Sequence, residues 1–453
     1  MRQLSIAPRP LTLLIPGLAL SALVGCPAAE VPPETAGFTC DGDLCTVTGP
    51  ILTDTTFTAD KKWVLKGGVF VGDDTDPTAA PTTLTIEPGT TIFGDTATVS
   101  FLLITRGSTI NAEGTREQPI VFTSAGDVGS RARGQWGGLV INGQAPVNGC
   151  SGDPCTLTGE AGTGTYGGAN ADDNSGVVKF VRIEFPGKLI DDENELNGIA
   201  LQGVGAGTTL DFIQVHMGAD DCVEFFGGTA NAKHIVCTGS GDDNLDWTFG
   251  WAGKVQFLIA QQHADAGERG IEADNNEDNF ALTPISNPTI SNLSLIGLSA
   301  EAKEGIKLRR GTKASIHNAV IVGFDKCVDI DDGDTFTNAA AGDIVVRNSV
   351  FDCDSVFSVK ADDPATTDVN EADPATALTS YQAILEGTSG NTVDNDVLEG
   401  ALDVTTPDFR AKTGAAAAAG AVKPADAFFD DVAFRGAVGS DDWTAGWTAF
   451  PAN

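Results

Sequence analysis

Two acidic segments, GADDCVEFFGG at 218–228 and GSGDDNLDWTFG at 239–250, put Asp220, Asp221 and Glu224, then Asp242, Asp243 and Asp246, at matching positions 22 residues apart. Glu272 holds the corresponding place in GIEADN, residues 270–275. Carboxylates grouped in this way suit three roles. They offer oxygen ligands to a hard divalent cation such as Ca²⁺. Two of them on neighbouring strands can serve as acid and base on a glycosidic bond. Alternatively, the Asp-Asp pairs shape turns and leave a solvated acidic face, because an Asp side chain bonds nearby backbone amides. If the copies stack, their carboxylates lie about 4.8 Å apart. At that distance they repel by about 1 kcal/mol in water and by about 3.5 kcal/mol at an effective dielectric near 20.

The elements that must position these acids form a repeat. From residue 178 a two-strand phrase recurs, its first half reading VKFVRIEF, LDFIQVHM, AKHIVCTG, VQFLIAQQ, ISNLSLIG, IHNAVIVG and VRNSVFDC. Its second half reads GIALQG, CVEFFG, NLDWTF, GIEADN, GIKLRR, CVDIDD and VFSVKA. Each half alternates inward and outward side chains, and the copies recur at a period that indicates a stacked solenoid. In the second half Val223 and Phe225 point inward, so Glu224, Asp246 and Glu272 face out in one row, followed by Lys307 and Asp329. The third position of the first half carries Phe180, Phe212, His234 and Phe257, then Asn292, Asn318 and Asn348. Stacked copies bring like residues together, and each Asn amide is then placed to bond the next. Coils of this length, with short strands and tight turns, resemble the right-handed parallel β-helix of pectin-lyase-like architecture, so the chain is expected to be all-β, a single-stranded parallel β-helix over residues 46–361. Residues 362–453 form an irregular, low-complexity tail with a short helix near AKTGAAAAAG, and its aromatics are placed to cap the open end.

The amino-terminal words LTIEPGTTIFG, LLITRGSTINAEGT, PIVFTS and GQWGGLVING, with GADDCVEFFGG, GDDNLDWTFG and the tail's DDWTAGWTAF, resemble a group of exported β-helix lipoproteins that includes an outer-membrane lipoprotein of leptospires. The resemblance implies a surface protein sometimes associated with outer-membrane receptors and with no settled enzymatic activity. GADDCVEF is also similar to the aspartate-pair segment of polygalacturonases. The Gly-His-Gly segment expected one coil later is absent from GSGDDNLDW, and GIKLRRG only echoes the Arg-x-Lys segment of that family. Lyases of this fold use Ca²⁺ with an Arg or Lys base, which keeps Arg269, Lys307, Arg309 and Arg310 in view. A polysaccharide lyase or hydrolase is thus the alternative to a non-enzymatic module that binds a cation, a glycan or an envelope partner, and a purely structural surface component is the third reading. Trp443 and Trp447 could form a sugar platform. His216 and His263, about two coils apart, are expected to lie too far from each other to share a metal.

Compartment and charge narrow the partners. MRQLSIAPRPLTLLIPGLALSALVGC reads as an export signal over residues 1–25, and Leu23-Val24-Gly25-Cys26 resembles a lipobox, which implies acylation of Cys26. Pro27 follows instead of an Asp, which in enterobacterial lipoproteins implies the outer membrane. A Pro-rich tether and a first cysteine loop complete residues 26–45. The chain's formal charge is −35, and loss of Arg2 and Arg9 with the signal takes it to −37, a surface that repels nucleic acid. Eight cysteines besides Cys26 suit an oxidising compartment. Cys40 with Cys45 and Cys150 with Cys155 close small loops. Cys222, Cys237, Cys327 and Cys353 could pair as 222 with 237 and 327 with 353, although strand parity sets Cys222 outward and Cys237 inward.

Overall fold

Each copy of the phrase makes one coil because its first half contains a residue that turns the chain. Phe180, Phe212, His234, Phe257, Asn292, Asn318 and Asn348 all have φ between 49° and 64°. That left-handed conformation suits Asn and strains a phenylalanine. Stacking offsets the strain at the aromatic positions. The rings of Phe180 and Phe212, Phe212 and His234, and His234 and Phe257 lie parallel at 4.4, 4.2 and 4.8 Å between centroids. The turned residue divides the strands Gly176–Glu184, Thr209–His216, Asn231–Thr238, Lys254–Gln261 and Thr289–Ile296 into two sides of the coil. Nearer the amino terminus the same two sides are made by separate strands, such as Thr109–Glu113 and Ile120–Ser124.

The computed structural model describes residues 37–453 apart from 77, 151, 153, 191–194, 360–380 and 382–388. The export signal, Cys26 and nearly all of the tether lie outside the described residues, as does part of the segment after 361. The architecture is an all-β parallel β-helix. Its third face is a ten-stranded parallel sheet running from Gly68–Val71 to Ser355–Val359. Identical registers stack Leu139, Ile199, Val223, Leu245, Ile271, Ile306, Val328 and Phe357 inward on that face. They join one continuous core with the second-face row Ile120, Val181, Ile213, Ile235, Leu258 and Leu293. At the amino-terminal end Gly37–Asp41 pairs antiparallel with Leu44–Thr48, which itself stacks in parallel on Lys62–Leu65 and puts Cys45 and Val47 into the core.

Three findings depart from the sequence reading. The aromatic tail does not cover an open end but runs back along the flank, where Trp447, Val438, Phe409 and Val397 bury the outward row Val236, Ile259, Val320 and Val350 of the second face. The alanine run forms only a single 3₁₀ turn, Ala416–Ala418, while the nine-residue helix Gly333–Ala341 arises in a turn insertion, with Asp332 accepting from Thr335 N at its start. The corner asparagines do not form an amide ladder. Asn292 Nδ2 donates instead to Phe434 O at 2.9 Å and Asn318 Nδ2 to Val422 O at 3.1 Å. The four expected disulfides form, and only the outward direction read for Cys222 is corrected: it precedes its strand, where alternation no longer fixes direction, and turns into the core to meet Cys237.

Candidate functional site

The outward row of the third face reads, coil by coil, Leu103, Val140, Ala200, Glu224, Asp246, Glu272, Lys307, Asp329 and Ser358. Its apolar beginning is covered by an inserted loop whose Val147, Leu157 and Tyr166 pack on Leu103, Val140 and Ala200. The acids begin where that cover thins. One oxygen each of Asp221, Glu224 and Asp246 lie within 4.8 Å of one another, as do oxygens of Asp220, Asp221 and Asp242 and of Asp243, Asp246 and Glu272. The register brings together all seven acids singled out in the sequence.

Their surroundings are less watery than a solvated edge. Asp221, Asp243 and Glu272 are buried, and Glu224 and Asp246 are half-buried. Glu160 and Glu277 from two loops, together with Phe226, Phe249, Asp274, Arg309 and Arg310, frame a cleft of about 150 Å³ over Glu224, Asp246 and Glu272. Burial pushes the carboxyls of Glu224 and Asp246 well above the usual range. Asp246 adds repulsion on Glu224, and Glu272 adds it on Asp246. Asp221 and Asp243 are raised for the same first reason, then by Asp220 and Glu272 respectively. The half-buried Asp220 is pushed up to about 8 by desolvation and by Glu195 and Asp242, and Asp242 is raised by burial and by Glu268.

The two ends of the row are treated differently. At the carboxy-terminal end, cations answer the acids. Arg269 Nη1 lies 2.7 Å from Glu272 Oε1, Arg309 pairs with Glu272 and with Asp274 at 2.8 Å, and Lys307 Nζ lies 3.0 Å from Asp329 and 3.1 Å from Asp331. At the amino-terminal end, among the described residues, Glu224 receives one hydrogen bond, from Asn197 Nδ2 at 2.5 Å, and Asp246 Oδ1 is buried without a donor. Asp221 and Asp243 also hold the coils together. Asp221 Oδ1 accepts from Asp243 N at 2.9 Å and Asp243 Oδ1 from Arg269 N at 2.7 Å, so each anchors the backbone one coil on instead of its own turn.

Some sequence expectations fall elsewhere. His216 and His263 are not two coils apart in space, since their rings meet at 5.9 Å where the His263 side chain folds back over Gly239. His216 is buried, bonds Thr238 Oγ1 and Pro451 O, and is pushed down to about 4 by burial. Trp447 is fully buried, and Trp443 packs edge-on against Phe212 and His234, so neither forms a sugar platform. The sequence reading missed Glu160, Glu277, Asp274 and Asn197 around the row. Glu160 and Glu277 sit on insertions outside the repeated phrase, and only their acidity could have pointed to them.

A family model for the pectate-lyase-like beta helix domain matches residues 49–448. No curated protein and no solved structure matches the chain.

Proposed function

Because the chain belongs to the pectate-lyase-like β-helix family, and because one end of its acid row makes no ion pair among the described residues, we propose that it is an exported envelope protein, anchored by an acylated Cys26, that holds a hard divalent cation at Asp221, Glu224 and Asp246. The observation that carries this is the row's asymmetry. Glu272 makes close ion pairs with Arg269 and Arg309, whereas among the described residues Asp221, Glu224 and Asp246 converge with no cation at ion-pair distance, Arg309 acting on Asp246 only from further off. The donor set is all oxygen, as Ca²⁺ requires, and two or three carboxylates leave positions for carbonyls, water or an acidic glycan. A bound cation would replace the protons that burial otherwise favours on these groups.

The disulfides suit export into an oxidising compartment. Acylation supports membrane attachment, at about 0.8 kcal/mol per buried methylene. The lyase reading has less support. A base must be ready to lose its proton, but Arg269 and Arg309, although burial opposes their charge, are held charged by Asp243, Glu272 and Asp274. A cleft of about 150 Å³ is also small beside the roughly 300–1,000 Å³ of small-molecule sites.

Calorimetric titration of Ca²⁺ into the chain carrying Cys26→Ser, beside Glu224→Gln/Asp246→Asn, tests the cation site. Saturable uptake lost in the double variant is expected, and uptake unchanged in that variant would refute the assignment. Incorporation of labelled fatty acid into the wild type but not into Cys26→Ser tests the anchor.

A further inference from the structure

Away from the acid row, the tail leaves a second concavity on the solenoid. A pocket of about 340 Å³ opens between residues 322–325 and 352–354 of two consecutive coils and residues 396–402 of the tail. Its volume lies within the ordinary range for small-molecule sites. Phe324, Val397, Leu398 and Ala401 are buried beneath it, and Leu402, 66 % exposed, forms its lip. The rim is acidic throughout, carrying Asp325, Asp352, Asp354 and Asp396 with no lysine or arginine among its lining residues.

These four acids are not equally occupied. Asp396 pairs with Lys412, and Asp352 Oδ2 accepts from Asp396 N at 3.2 Å. Asp325 and Asp354 are exposed and have no ion-pair partner among the described residues. They stand on adjacent coils, since Asp354 N donates to Phe324 O at 3.2 Å and Ser355 N to Asp325 O at 2.8 Å. Neighbouring coils set such carboxylates about 4.8 Å apart along the solenoid axis.

We propose that this pocket binds a linear aliphatic polyamine, its methylenes on the Phe324, Val397, Leu398 and Leu402 surface and its ammonium groups on Asp325, Asp354 and Asp352. The floor and the rim make different demands, and this class meets both. A metal ion gains nothing from the apolar floor, and a neutral apolar ligand leaves the carboxylates unanswered. An alkyl chain carrying a cation every few methylenes lays its stem on apolar surface while each head reaches an acid, as lysine side chains do at protein surfaces. The assignment is independent of the cation site on the third face.

A chain of charge −35 attracts polycations everywhere, so the test must separate a site from a field. Spermidine is titrated calorimetrically, at physiological salt, into the full-length chain carrying Cys26→Ser. Asp325→Asn/Asp354→Asn is compared with Asp127→Asn/Asp441→Asn, which removes the same charge from exposed positions elsewhere. The expected result is one saturable site, weakened at least tenfold by the first pair, unchanged by the second, and weakened severalfold by Leu402→Ser with Mg²⁺ uptake unaltered. Equal weakening by both pairs, or no saturable uptake by the wild type, overturns the proposal.

Discussion

Gln214 grips Ala449 with both atoms of its amide, Nε2 donating to the Ala449 carbonyl at 2.8 Å and Oε1 accepting from the Ala449 amide at 2.9 Å. Gln256 holds Asp430 in the same two-way manner at 3.1 and 2.7 Å, and Asn318 holds Val422 at 3.1 and 2.9 Å. Three side-chain amides thus imitate an edge strand and fix a tail that would otherwise lie on an apolar flank without register. Gln214 and Gln256 are fully buried, so a substitution leaves tail backbone groups unpaired. Gln214→Leu is expected to destabilise by about 1–3 kcal/mol and to speed limited proteolysis of the tail. Unaltered melting and cleavage would show that apolar packing alone holds it.

The raised carboxyls make a prediction about pH. An acid whose folded value exceeds its unfolded value keeps its proton longer in the folded state, so its stabilising effect is complete at low pH and is lost as pH rises through the folded value. For Asp220, raised from 3.8 to about 8, that loss spans the interval between those two values, and Glu224 and Asp246 act in the same direction. With divalent cations chelated, the wild type should lose stability relative to Glu224→Gln/Asp246→Asn as pH rises above the ordinary carboxylate range, and Ca²⁺ should restore it. Parallel pH profiles for the two proteins in chelator would count against coupled, buried acids.

The division between what sequence revealed and what it hid has a physical basis. The outward order Glu224, Asp246, Glu272, Lys307, Asp329 was legible because a period-two strand fixes each side chain's face and a parallel register repeats it. Burial of that row was not, because its cover comes from inserted loops bearing Glu160 and Glu277, which follow no period. The tail's course was hidden for a related reason. Gln214 and Ala449 are 235 residues apart, and nothing local in WTAGWTAF says which coil it will meet. Phe180 and Phe212 look like strand residues in sequence, and only their stacking makes a left-handed corner affordable.

Lys307 offers a test of the charged end of the row. It is 5 % exposed, between a fully buried Asp329 and Asp331, and although burial disfavours its charge those two carboxylates raise its pKa. Among the described residues, Lys307→Met leaves Asp329 only the longer contact to Lys326 at 3.6 Å and the Ser358 hydroxyl. The expected cost is about 3–5 kcal/mol in denaturant unfolding. Lys307→Met/Asp329→Leu should recover much of it, since removing both partners avoids an unpaired buried charge. A double variant as unstable as the single one would mean that Asp329 serves something other than this pair.

The Cys222–Cys237 bridge ties the coil that carries Glu224 to the coil that carries Asp246, and it closes a loop of sequence separation 15. Chain-entropy reasoning gives about 3 kcal/mol for such a loop. Cys222→Ala/Cys237→Ala should therefore lower the unfolding free energy by about 2–4 kcal/mol, the lost packing of two core side chains included. Because the bridge joins the coils of the acid row, the same variant should weaken Ca²⁺ uptake more than loss of Cys40–Cys45, which lies in the amino-terminal hairpin. Denaturant titration and calorimetry on the two double variants separate these effects. Equal loss of uptake in both would show that stability, not the alignment of these coils, limits the site, whereas selective loss in the first ties cation binding to the register of the repeated acidic segments.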